Sequence, residues 1–433
     1  MLKIFTALAA ALMLAAPAHA QSPLSDKMQA QVKAGNLIER ITEPEEFRAM
    51  FGKPLQEEED GEVLRLIYPD TIGAVFVRRE TGAPATLAGL FLDRPVELGM
   101  PVLRNIDDIN RLDSITGLAG VSLEKLDLRG HADLLEGKHF DTRTKWPPQK
   151  MMPANYNPAE IMENGKNPGL GVRALHKEGA DGRGVRVAII DQPLLPEHGE
   201  YAQALVYYST AATGKTEAQM HGPAVAGFLA GRTTGIAPKA ELYYFAVPSW
   251  KADNASYTAA LKEVMARNKN MPMEKQIRIV SMSAGSFKNW DHFEEWKKTT
   301  EQAKKEGIII IDCAESFMSF GNLARTGKNP DNPKDYSPEK WDEGQRYELW
   351  VPGGNRTRAG SDGNDVYVFD AVGGRSWSTP YLAGVVALGL QINPALTAGQ
   401  AKTLLLRSAS KTAVGPVINP RGFINLVKGT VKK

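Results

Sequence analysis

Cysteine is almost missing from this sequence: Cys313 stands alone among 433 residues. A single thiol excludes an internal disulfide, so the fold must rest on its apolar core. Charge of one sign is missing too, with 52 Lys and Arg against 50 Asp and Glu, a net +2. Nothing in that balance points to a nucleic-acid partner, which would normally need a clustered basic surface, so none is expected. Long hydrophobic runs are absent. The longest, from Ile4 to Ala16, falls short of the ~20 residues that span a bilayer, and no later segment comes closer. Histidine is scarce, at 7 residues, which narrows the choice of any catalytic imidazole. What remains is ordinary globular composition, 42% hydrophobic and 24% charged.

The amino-terminal pattern has a mechanism of its own. Lys3 precedes the short apolar run, Pro17-Ala18-His19-Ala20 closes it with small residues, and polar Gln21-Ser22 follow. This reads as a signal peptide over residues 1–20, cleaved after Ala20. The chain is therefore expected to be exported, to a periplasmic or extracellular place, with no membrane span once the signal is removed.

Residues 21–165 read as a smaller α+β region. Helices are expected over 26–38 and 45–51, strands over 62–68 and 71–78, and a solvated acidic turn over 57–60. Ser122-Leu123-Glu124-Lys125-Leu126-Asp127-Leu128-Arg129-Gly130 resembles one leucine-rich turn, and Leu134-Leu135 with Phe140-Asp141 begin a second. A repeat array needs about three copies, so this segment is read as a small capping region. Residues 146–169, rich in Pro, Asn and Gly, read as a linker or surface arm.

From 166 to 433 the pattern changes. Apolar strands at 185–190, 241–247, 277–283 and 308–313 alternate with helices after His221 and at 256–268, 293–305 and 377–391. That alternation predicts an α/β fold, a three-layer, doubly wound and mostly parallel sheet. Ligands of such sheets bind outside the carboxyl ends of the strands, where Asp191 falls. Cys313 ends a buried-strand pattern and reads as structural. Residues 320–362 look like an insertion, either a surface loop or a lid. Asp362, Asp365 and Asp370 lack the spacing of a metal loop. No metal or other cofactor is assigned, although a structural calcium is compatible with the sequence.

Acyl transfer by serine requires a hydroxyl, an imidazole that takes its proton, and a carboxylate that fixes the imidazole. Each piece has rivals here. His176 and His198 compete with His221, and Ser378 competes with Ser376, which otherwise reads as a helix cap. Four segments in order decide among them. Gly184-Val185-Arg186-Val187-Ala188-Ile189-Ile190-Asp191 is similar to the aspartate strand of the subtilisin-like serine peptidase family. His221-Gly222-Pro223-Ala224-Val225-Ala226-Gly227 with Gly235-Ile236-Ala237-Pro238 resembles its histidine helix. Ile279-Val280-Ser281-Met282-Ser283-Ala284-Gly285 resembles the strand that lines its substrate cleft. Gly374-Arg375-Ser376-Trp377-Ser378-Thr379-Pro380-Tyr381-Leu382-Ala383-Gly384 resembles its serine segment. The order Asp, His, Ser is that of subtilisin.

The resemblance implies a triad of Asp191, His221 and Ser376. It implies a cleft at Ser283, Ala284 and Gly285, and a peptide or protein as substrate. Ser376 is expected near the start of a helix that holds Pro380 in its first turn, where proline is tolerated. The departures are Gln192-Pro193 after the aspartate, and Arg375, Trp377 and Tyr381 around the serine. The family's Gly-Asn pair, whose asparagine meets the oxyanion, has no direct counterpart. Ser316 aligns with the asparagine and Glu315 with the glycine, while Asn322 follows Gly321. Oxyanion candidates are thus Ser316, then Asn322, then Glu315. Two readings follow: an exported serine endopeptidase, or a catalytically impaired relative that binds peptides through the same cleft. Residues 21–165 would be either a removable pro-segment or a recognition module.

Overall fold

The alternating and continuous apolar runs become sheets in a computed structural model that describes residues 22–431, apart from 80–81, 93–97, 115, 285–287 and 328. The signal segment and Gly285 therefore lie outside the described residues. The described chain divides into two units, meeting in sequence between Tyr156 and Asn157.

In the first unit, helices α1 (Pro23–Ala34) and α2 (Pro44–Phe51) precede strands β1 (Gln56–Asp60), β2 (Val63–Tyr68), β3 (Ile72–Val77) and β4 (Thr86–Phe91). The strands pair antiparallel in sequence order. Met28 and Phe47 from the helices pack on Leu66, Tyr68, Ala74, Phe76 and Leu87 of the sheet. The acidic residues 57–60, expected as a turn, form an edge strand instead. Their backbone pairs with β2 while the carboxylates stay in solvent, a charge pattern that suits an exposed edge. Beyond the sheet, the leucine segment stacks as short coils. Ser122 bridges in parallel to both Val102 and Lys145, about one coil to either side, and Leu103, Leu123, Leu126 and Leu128 are buried. The segment read as a small capping region, with one leucine-rich turn and the start of a second, holds three short extended stretches bridged in parallel.

The second unit opens with α3 (Pro158–Lys166) and α4 (Val172–Lys177). α3 lies inside the stretch read as a linker. Asn157 caps it by accepting from the Glu160 N–H at 3.2 Å, and Pro occupies its first turn. The main sheet follows: β5 (Arg186–Asp191), β6 (Leu205–Ser209), β7 (Glu241–Ala246), β8 (Ile277–Met282) and β9 (Ile309–Asp312). Its strands are all parallel and lie in the order β9-β8-β5-β7-β6.

Side chains alternate across this sheet. Val187, Ile189, Leu242, Tyr244 and Ile279 face α5 (His221–Ala230) and α8 (Arg375–Ile392), while Ala188, Ile190, Phe245, Val280 and Met282 face α6 (Ala255–Asn268) and α7 (Phe293–Lys305). Both faces are apolar because both are covered, which makes the three layers. Each fully buried Val, Ile or Leu contributes roughly 1.5–3 kcal/mol.

Residues 320–362 are not a long loop. They hold β10 (Phe320–Arg325), β11 (Tyr336–Pro338), β12 (Leu349–Gly354) and β13 (Arg356–Ala359). β10 and β12 run parallel at the heart of a second five-stranded sheet, and β13 pairs antiparallel with β14 (Tyr367–Asp370). The second sheet also takes β15 (Ser410–Thr412) and β16 (Gly415–Val417). Helices α9 (Ala398–Ser408) and α10 (Pro420–Lys428) complete the unit.

Candidate active site

Asp191 is the last residue of the central strand β5, so the sheet delivers its side chain at the carboxyl edge. The carboxylate is buried. Its Oδ1 accepts from the Gln192 N–H at 2.7 Å and lies 2.7 Å from His221 Nδ1. A carboxylate at that distance fixes the tautomer: Nδ1 carries the proton, and Nε2 is left as an acceptor. His221 opens α5, whose entry is held hard against the Asp191 loop. A Cβ on Gly222 would sit 2.6 Å from the Pro193 carbonyl oxygen, so only glycine lets the helix approach this closely.

Ser376 is the second residue of α8, after the cap residue Gly374. The sequence pattern placed Pro380 in the first turn. The helix starts at Arg375, so Pro380 falls in the second turn, and the difference has a consequence. Proline has no N–H to give the carbonyl four residues earlier, which is that of Ser376. The Ser283 hydroxyl takes that place, donating to the Ser376 oxygen at 2.8 Å, and the Ser376 hydroxyl donates back to the Ser283 carbonyl at 3.3 Å. Two bonds thus pin the start of α8 to the end of β8. Next along α8, the Trp377 ring lies 5.0 Å from the His221 ring, at 35°, and 5.6 Å from Phe228. The indole wedges between the helices of His221 and Ser376 and covers one face of the imidazole.

The sequence has counterparts among known proteins. The model of the subtilase family matches residues 182–423, more than half of the chain. The chain belongs to the subtilase family. Subtilisin-like protease 3 of Pseudogymnoascus destructans is 25% identical over 265 residues, covering 58% of this chain and 63% of that protein. The thermostable alkaline protease of Halalkalibacterium halodurans is 24% identical over 276 residues, covering 60% of this subtilase and 72% of its relative. This subtilase therefore spans a little under two thirds of the first relative's length. A solved cold adapted subtilisin-like serine proteinase is 21% identical, with a TM-score of 0.42 over 55% of this chain and 89% of its own.

The rival residues of this subtilase have other partners. His198 is buried. Its Nε2 lies 3.0 Å from the Val366 carbonyl, Nδ1 accepts from the Glu200 N–H at 3.1 Å, and its ring stacks on Tyr201. His176 lies 2.8 Å from the Ile236 carbonyl. Burial lowers the pKa of both. Ser378 is fully buried and donates to Asn322 Oδ1 at 2.6 Å. Burial pushes the Cys313 thiol up to about 11, so it stays protonated, 3.4 Å from the Thr379 hydroxyl.

The oxyanion candidates are placed as follows. Ser316 donates its hydroxyl proton to Asp312 at 2.6 Å. Asn322 is fully buried within β10, and its Nδ2 has no hydrogen-bond partner among the described residues. Glu315 is exposed, adopts a left-handed backbone at φ 64°, and pairs with Arg375 at 3.3 Å. Among the cleft residues, Ser283 touches Ser376 as described, Ala284 gives its carbonyl to the Cys313 N–H at 3.0 Å, and Gly285 is outside the described residues. Among the described residues, no group of three or more His, Cys, Asp or Glu is placed to hold a metal ion, and no helix is long and apolar enough to cross a membrane.

Sequence reasoning did not find the Ser283 hydroxyl bond or the Trp377 lid on His221. The first had a signal: a proline four residues after Ser376 leaves that carbonyl open. The second had none, because a ring contact between two helices is a tertiary fact.

Proposed function

We propose that this subtilase is an exported serine endopeptidase that hydrolyses peptide bonds through Asp191, His221 and Ser376. The observation that carries the reading is the 2.7 Å contact of His221 Nδ1 with buried Asp191, beside the helix that starts with Arg375 and Ser376. In the proposed reaction Ser376 Oγ attacks the scissile carbonyl carbon and its proton passes to His221 Nε2. The C=O electron pair moves onto oxygen, giving a tetrahedral oxyanion. Collapse breaks the C–N bond, and the amine leaves with the proton from His221. Water, activated by the same imidazole, then releases the acyl group. Asp191 holds the tautomer and stabilises the transient imidazolium. The Ser376 N–H, in the first turn where amides lack an intrahelical acceptor, is one oxyanion donor.

The test is hydrolysis of casein by purified protein and by Ser376→Ala. The reading requires that the substitution remove activity, and unchanged hydrolysis would sink it. Export rests on residues 1–20, and cleavage after Ala20 is checked by sequencing the secreted protein's amino terminus. A second reading, a peptide-binding relative with impaired chemistry, is favoured by the engagement of Ser316 with Asp312 and by the burial of Asn322. Retained peptide binding with no acyl-enzyme formation would select it.

A further inference from the structure

A serine peptidase of this design needs a second oxyanion donor besides the Ser376 N–H, and the side chains around Ser376 narrow the choice. Ser283 is committed to the Ser376 carbonyl at 2.8 Å, Thr379 to the Arg375 carbonyl at 2.8 Å, Ser378 to Asn322 at 2.6 Å, and Ser316 to Asp312 at 2.6 Å. A hydroxyl has one proton, so none of these has a donor left. Asn322 does have an unpaired N–H, but it is sealed at 0% exposure inside β10, where no substrate oxygen reaches.

Arg375 differs from all of them. It directly precedes Ser376, its side chain is 36% exposed, and one guanidinium nitrogen rests 3.3 Å from Glu315. Glu315 lies in the loop just after β9, beside Ser316. Its left-handed backbone, φ 64°, is uncommon for a residue with a side chain. Five N–H donors in a planar fork can serve a carboxylate and an oxyanion together. The charge is also felt within the site, where it opposes the burial that raises the Cys313 thiol.

We propose that Arg375, positioned by Glu315, is a catalytic residue that donates to the oxyanion in place of an asparagine. The proposal rests on the endopeptidase reading. When Ser376 Oγ bonds to the carbonyl carbon, the electron pair displaced onto oxygen meets the Ser376 N–H and an Arg375 N–H. The two bonds strengthen as charge develops and relax when the carbonyl re-forms. Their effect therefore falls on kcat rather than on KM.

The experiment measures kcat and KM on one peptide substrate for wild type, Arg375→Ala, Arg375→Ala with Ser316→Asn, and Glu315→Gln, each checked for folding by circular dichroism. Arg375→Ala is expected to lower kcat by about 10²–10³-fold with KM nearly constant, the magnitude known for loss of one such donor in subtilisin. Adding Ser316→Asn is expected to restore at least tenfold of it, roughly, by supplying a neutral donor from the loop. Glu315→Gln frees the guanidinium from its anchor and is expected to lower kcat about 5–10-fold, less than Arg375→Ala, with KM nearly constant. A folded Arg375→Ala that keeps wild-type kcat overturns the proposal. So does a loss in Arg375→Ala that falls on KM while kcat is kept, which would assign Arg375 to substrate binding. If wild type itself shows no Ser376-dependent hydrolysis, the endopeptidase reading fails instead, and the two failures are distinct.

Discussion

In the proposed reaction Asp191 acts on the substrate only through His221. With Asn in its place, the amide offers an N–H toward Nδ1, favours the wrong tautomer, and leaves Nε2 protonated. Asp191→Asn is therefore expected to lower kcat by roughly 10⁴-fold while the fold survives, measured on a peptide substrate with thermal melting as control. Cys313 provides the opposite case. Burial holds its thiol protonated, with a pKa of about 11, and it lies 3.4 Å from the Thr379 hydroxyl. Cys313→Ala should keep activity within about threefold, and a loss on the scale of the triad would mean the thiol has a chemical role. At this scale the sequence was informative wherever chemistry fixes residue type. Asp191, His221 and Ser376 stand in motifs whose neighbours are constrained by close packing, as Gly222 is. It was uninformative where a side chain is spent on a tertiary partner. Nothing in the string Asp312-Cys313-Ala314-Glu315-Ser316 indicates that the Ser316 proton belongs to Asp312.

Elements position these residues, so their contacts are as testable as the residues themselves. Gly222→Ala would push a Cβ to 2.6 Å from the Pro193 carbonyl oxygen and force α5 away from the Asp191 loop. The expected cost is about 1–3 kcal/mol of stability, with a drop in kcat from the displaced imidazole. A variant with wild-type stability and activity would show that this approach is not required. The structural histidines add a pH dependence. His198 is buried and His176 half-buried, and burial holds both folded pKa values below the ordinary 6.5. As pH falls through that value the unfolded chain binds protons that the folded chain does not, so stability is full above it and declines below. Urea unfolding of Ser376→Ala, which avoids autolysis, should show a lower midpoint at about pH 5.5 than at about pH 7.5. An equal or higher midpoint at the lower pH would contradict this. The helices and strands of the parallel sheet were legible because burial on both faces writes continuous apolar runs, as in 185–190 and 308–313. Residues 320–362 were not, because β10 to β13 are short and rich in Gly, Pro and Arg. Their buried arginines, Arg325, Arg356 and Arg358, read as solvent-exposed in a sequence.

For the molecule as a whole, the subtilase match covers 182–423 and leaves the first unit to be explained by its own architecture. A four-stranded meander followed by a leucine-lined coil has its own cores, so it can serve as a removable pro-segment or as a lasting recognition module. Sequencing the mature amino terminus separates the two: a start at Gln21 or Ser22 retains the unit, and a start near Asn157 removes it. The central claim is that Asp191, His221 and Ser376 form a working triad, and a fluorophosphonate probe tests it most directly. Mass spectrometry of the labelled, folded protein should place the adduct on Ser376 and find none in His221→Ala. Folded protein that stays unlabelled at Ser376 after any amino-terminal segment has been removed would contradict the account.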